Sequence, residues 1–257
     1  MLLSISRLRH SCNLESYLVI IREELSKEDK SNGLILLGLY CLENMEKVET
    51  FWKTYWDYLS ATCTDHISTN HQLISIKVVT DFIVKFNSLS QPQFAPEEME
   101  DFNSDMFMQC MVKLILSKDG EVRILAIESL CRMIYHERID ESNLYSYFLY
   151  LLLLWLETSN EEVSSRAVHT VSIFMRSFLE KGNSFVIKLA EVFCIFFKVL
   201  LKFQDEGKGI NKSIIKYNLT PEEFIKKTIA MVLTVLRYQK ENRPPIWKYA
   251  ETEIGPQ

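Results

Sequence analysis

Apolar residues recur along this chain at intervals of three and four, the period of one helix face. The first clear run is about 13–27, where Leu14, Tyr17, Leu18, Ile21 and Leu25 fall on one side. Further runs predict helices at roughly 32–45, 48–62, 70–88, 104–117, 120–137, 141–157, 160–180, 184–204 and 220–239. Between them stand clusters of turn and cap residues: Ser90-Gln91-Pro92, Lys118-Asp119-Gly120, Lys181-Gly182-Asn183 and Gly207-Lys208-Gly209. Thr220-Pro221-Glu222-Glu223 has the make-up of a helix start. Thr220 can cap, Pro221 fits the first turn without losing a hydrogen bond, and Glu223 completes a capping box. No run alternates with period two in the way a strand demands. The pattern therefore predicts an all-α fold.

The helices also repeat. Asp119-Gly120-Glu121-Val122-Arg123 leads into Ala126, Ile127 and Leu130, and Glu161-Glu162-Val163 leads into Ala167, Val168 and Val171. Leu73, Val78 and Phe82 form a looser copy with Lys77 at the small position, and Leu34, Gly38, Leu39 and Leu42 form an earlier one. Successive copies are 39, 49 and 41 residues apart, and the long step contains the polar stretch at about 88–104. Two helices in about 40 residues are the mark of HEAT and armadillo arrays. A single helix pair has too little core, so neighbours stack and share one. Small residues such as Gly38, Ala126 and Ala167 would let the stacked helices approach closely. The expected architecture is a HEAT/armadillo-like α-solenoid of antiparallel helix pairs over 1–240, with a tail at 241–257.

Composition agrees with that reading. The 257 residues include only 7 Gly and 6 Pro, too few for a turn-rich β fold. Cys12, Cys41, Cys63, Cys110, Cys131 and Cys194 contain no C-x-x-C pair and no zinc-finger spacing to histidine. Most sit in apolar runs and read as reduced core residues, which points to a cytosolic or nuclear chain. The segment from Met1 to His10 lacks the apolar core of a signal peptide, and Leu144–Leu156 is too short for a membrane span. Without a secretory signal, the sequons at Asn211 and Asn218 read as chance matches.

Charge changes the picture more. The net charge is −5, yet residues 181–248 hold 13 Lys and Arg against 6 Asp and Glu. Residues 1–180 hold 16 against 26. A basic final third on an acidic protein can meet a polyanion or an acidic peptide. Lys198 and Lys202 lie four apart, Lys208, Lys212 and Lys216 follow in the next connection, and Lys226 and Lys227 follow in the last predicted helix. If neighbouring repeats align them, these seven lysines form a strip for duplex DNA phosphates; otherwise they solvate separate helix faces.

Several motifs resemble the condensin subunit 3 family. Leu36-Leu37-Gly38-Leu39-Tyr40-Cys41-Leu42 is similar to its CLGLxCLL helix, and Ile76 to Phe86 to its ALKxLFDLLxxFG helix. Val122 to Ile134 resembles xRxxAVEGLCKLL, His136-Glu137-Arg138-Ile139 the short xGRI exit, and Val171-Ser172-Ile173-Phe174 the start of LSVFFPVY. The pieces keep the family's order over roughly 30–205 and correspond to the C-terminal HEAT region of a longer protein. Lys77 at the small position and Met175-Arg176 in place of Pro-Val depart from the pattern. The resemblance implies a nuclear or chromosomal protein, with the cytoplasm as a second compartment. It also implies binding to the kleisin subunit, through it to the SMC ATPases, and a share in holding DNA during mitotic chromosome condensation. The competing expectation is another HEAT/armadillo adaptor, for transport or phosphatase assembly.

Catalytic patterns are missing. There is no phosphate-cradling glycine loop, no G-x-S-x-G and no H-E-x-x-H, so no enzyme, metal or cofactor is expected. His66 and His71 read as a polar loop at a helix start, and His136 and His169 as helix-end or surface residues. The aromatic cluster Phe51, Trp52, Tyr55, Trp56 and Tyr58 admits two readings. It is either core, or Trp52, Tyr55 and Trp56 line a groove for a partner peptide.

Overall fold

The computed structural model describes residues 17–43, 45–61, 66–86, 104–139 and 162–181, with single positions at 144, 151, 187–188, 191–192, 194–195, 198 and 226. Seven helices are formed among them, and no strand: α1 Tyr17–Leu25, α2 Ser31–Cys41, α3 Met45–Ser60, α4 His66–Phe86, α5 Ser104–Ile115, α6 Gly120–Tyr135 and α7 Glu162–Glu180. Each corresponds to a predicted run, with ends displaced by a few residues. The predicted helices at 141–157, 184–204 and 220–239 fall mostly outside the described residues, as do the polar stretch after α4 and the C-terminal tail. The chain forms two compact units, Met1–Phe148 and Leu149–Gln257.

Unit 1 is a two-layer stack. α2 packs on α4 and α4 on α6, while α1, α3 and α5 each pack beside the helix that follows them. Short connections at 26–30 and 116–119 give the α1–α2 and α5–α6 pairs little freedom but to lie antiparallel. The core is one apolar seam along the inner row. α4 buries Ile74, Ile76, Val78, Val79, Phe82 and Ile83, and α6 buries Val122, Ala126, Ile127, Leu130 and Ile134.

Local chemistry explains the helix ends. Asp119 caps α6, its carboxylate accepting from the backbone N–H of Glu121 at 3.0 Å and of Val122 at 3.1 Å. Asp29 serves the start of α2, where Oδ1 accepts from Ser31 N at 2.9 Å and from Ser31 Oγ at 2.5 Å. These bonds, led by the Ser31 hydroxyl, hold the Asp29 carboxyl below its ordinary range.

Small residues act as expected at Gly38. A Cβ built there would lie 2.9 Å from Val78 Cγ2 and 3.3 Å from the Tyr55 hydroxyl. Ala126 and Ala167 are both fully buried. The α4 copy of the repeat differs from expectation. Lys77 is exposed, and Val78 is the residue that faces Gly38. The contact across the α2–α4 joint is thus glycine against valine, and the position aligned as small points to solvent. Tyr17 also departs from its predicted buried face and is 46% exposed on α1.

Unit 2 is described chiefly through α7. Ala167, Val171, Phe174, Met175 and Phe178 form its buried stripe, at helical spacing, and the rings of Phe174 and Phe178 are 5.5 Å apart. Arg166, His169, Arg176 and Glu180 point outward.

Candidate functional site

The aromatic cluster lies on α3. Its buried face is Val48, Trp52, Tyr55, Trp56 and Leu59, an i, i+4, i+7, i+8, i+11 series. Trp52 is 1% exposed, Tyr55 0% and Trp56 9%. The Tyr55 hydroxyl donates to the Leu34 carbonyl of α2 at 2.7 Å, and its ring meets Phe82 of α4 edge-on at 5.6 Å. Burial pushes the Tyr55 phenol well above its ordinary range. Of the two sequence readings, these positions match the core. Trp52, Tyr55 and Trp56 are enclosed in unit 1; Phe51 and Tyr58, at the margins, are half-buried.

Two of the seven candidate lysines are described, Lys198 and Lys226, and both are exposed. Lys202, Lys208, Lys212, Lys216 and Lys227 lie outside the described residues. All seven belong to unit 2, whereas the aromatic cluster belongs to unit 1. The described part of the helical segment around Lys198 has Val192 buried and Ile187, Glu191, Cys194 and Ile195 exposed.

The described thiols of unit 1 are shielded by burial. Cys41, Cys110 and Cys131 are free and buried. Desolvation pushes the Cys41 thiol up to about 12 and the Cys110 thiol to about 11, and raises Cys131 further. Cys194 is free and exposed. Among the described residues no group of His, Cys, Asp or Glu has the arrangement to hold a metal ion, and no helix is long and apolar enough to cross a membrane.

Sequence reasoning misses a set of polar side chains that join one layer to the next. The sequence suggests a polar loop for His71, yet its side chain is buried in α4 and its Nε2 accepts from the Lys30 backbone N–H at 3.1 Å. Asn70 donates to Ser31 Oγ at 2.6 Å beside it. Arg132 of α6 reaches Asp81 of α4 at 2.6 Å, and Asp81 is almost wholly buried. Lys85 Nζ donates to the Leu42 carbonyl, and Arg138 Nε donates to the Val84 carbonyl at 3.1 Å. Only Arg138 has a signal in the sequence, through its place in the xGRI-like exit. The others contact residues about 40 to 50 positions away, beyond the reach of local pattern.

Among the described residues this arrangement offers stacked helices, an apolar seam and helix ends bonded from one layer to the next. No match was found among curated proteins or among solved structures. One family model does match, described as nuclear condensing complex subunits, C-terminal domain, and it covers residues 5–242. That span takes in all seven helices and nearly the whole chain, so the chain belongs to the family of nuclear condensin complex subunits, through their C-terminal domain.

Proposed function

We propose that this chain is a non-catalytic scaffold of a condensin complex, which binds the kleisin subunit and, through it, the SMC ATPases. In this reading it works in the nucleus on chromosomes and helps hold duplex DNA, without regard to sequence, during mitotic condensation. The observation that carries the proposal is the family match over residues 5–242. The stacked pairs of unit 1 support it physically. Repeat stacks present extended surfaces built from many layers, which suits a subunit that grips other macromolecules. The basic bias of residues 181–248 supplies charge of the sign that a DNA-holding role requires.

The test is recovery of the full chain from nuclear extract, with its companions identified by mass spectrometry. A kleisin and SMC ATPases should accompany it in stoichiometric amounts. Recovery of transport or phosphatase subunits in their place would overturn the reading.

A further inference from the structure

Two inner helices of unit 1 have their C-terminal ends closed by cations from the next layer. The last four carbonyls of an α-helix lack partners within it and carry the negative end of the helix dipole. The carbonyl of Leu42, which caps α2, receives the Lys85 ammonium from the last turn of α4. One layer on, the carbonyl of Val84 in the last turn of α4 receives Nε of Arg138, from the turn that leaves α6. The same relation thus occurs twice along the row α2, α4, α6. Both bonds are partly buried, where screening by salt is weak, and both are charge-assisted.

The hydrophobic effect across the seam is not directional, and the packing of side-chain ridges into grooves leaves a scatter of about 15–20° in the crossing angle. A hydrogen bond from a side chain to a helix end is directional and does fix it. We infer that Lys85 and Arg138 are inter-layer straps, each setting the geometry of one joint: Lys85 the α2–α4 joint, and Arg138 the α4–α6 joint. Arg132, bonded to Asp81, reinforces the second joint. Asn70 and His71 tie the opposite end of the first, so that α2 is held on α4 at both ends. The geometry of unit 1 is then set joint by joint by these directional bonds, with one cation at each C-terminal end. This inference does not depend on which partner the protein binds.

Hydrogen exchange read by mass spectrometry on the full chain tests it. Lys85→Met keeps most of the stem and removes the cation. It should speed exchange about tenfold in the last turn of α2, residues 38–42, while the last turn of α4 stays as in the parent; tenfold is what loss of one charge-assisted bond gives. Arg138→Met should do the reverse, speeding residues 82–86 and sparing 38–42. Lys85→Arg should retain protection at both places. Lys85→Gln, which keeps a neutral donor, is the milder variant should the methionine variant fail to fold, and should show the same split with smaller amplitude. Equal acceleration of both turns in either variant, or no change at either, would overturn the inference.

Discussion

Glu137 holds a backbone conformation that L side chains avoid, with φ at 57°. It follows α6, where Arg138 N bonds Met133 O at 2.9 Å and Glu137 N bonds Ile134 O at 3.0 Å. That pair of bonds is a Schellman closure, and its left-handed residue is usually glycine. The xGRI-like exit therefore has a physical reading: a residue able to turn left-handed, then an arginine sent back to the previous helix. Here glutamate stands in the glycine place. Glu137→Gly should raise stability by about 1 kcal/mol, from relief of the strain less the extra freedom of the unfolded chain. Urea unfolding of the two proteins checks this; an unchanged or lower midpoint would contradict it. The cysteines give a second residue-scale expectation. With their thiols raised to about 12 and about 11, Cys41 and Cys110 should resist alkylation at pH 8, as should Cys131, whose thiol burial also raises. Exposed Cys194 should be modified before these three, as seen by peptide mapping after a short pulse of iodoacetamide. Buried cysteine was legible from its apolar setting. Cys194, in an equally apolar run, was not separable from the others, because which side of a helix faces outward depends on neighbours remote in sequence.

At the scale of the helix, the joint between α2 and α4 also contains one close approach. Alanine normally stabilises a helix relative to glycine by about 1 kcal/mol. At Gly38 the added methyl would press on Val78, whose branched side chain has little rotamer freedom to move aside. Gly38→Ala should therefore destabilise despite its better propensity, and Val78→Ala in the same chain should recover part of the loss. A double-mutant cycle reads that coupling directly; strict additivity would show that the contact does not limit the joint. The buried alanines make a stronger case. Ala126→Glu and Ala167→Glu would each bury a carboxylate without a partner, and each should lower stability by several kcal/mol, on the order of the known cost. Melting curves like the parent's would contradict the repeat alignment. Periodicity and cap chemistry were enough to locate all seven described helices and the small residues of α2, α6 and α7. The register of α4 was not legible. Lys77 aligned with the small position by spacing alone, yet α4 is 21 residues long and lies between α2 and α6, so its facing residues follow from the stack and not from the 40-residue step.

For the whole molecule, the family was readable because its motifs recur in order, and the family model matches residues 5–242. The aromatic cluster was legible as core or groove, without a sequence signal to decide between them. Composition cannot separate a helix that needs a partner from one already enclosed by its neighbours, and here Phe82 and the Leu34 carbonyl supply the enclosure. Charge is the feature that remains informative at full scale. Unit 1 and the start of unit 2 carry an acidic excess, and residues 181–248 carry the basic one. A uniformly acidic protein would repel DNA at every approach, whereas this distribution leaves one region able to attract it. Contacts from lysine to phosphate carry no base readout, so the expected binding is independent of sequence. Each neutralised phosphate releases condensed counterions, so affinity should fall steeply as salt rises. The experiment is a titration with duplex DNA at 50 and 200 mM salt, on the order used for such slopes, with the chain alone and with a kleisin segment. Charge reversal of Lys198, Lys202, Lys212 and Lys216 together should weaken binding and flatten the salt dependence. Reversal of the outward-facing Arg166 and Arg176 on α7 is the comparison, since it changes charge within unit 2 but outside the lysine series. A larger loss from the arginine pair would move the contact surface to α7. Equal and slight losses from both sets would mean that the lysines serve only as solvated surface, and that the protein holds its complex through protein partners alone.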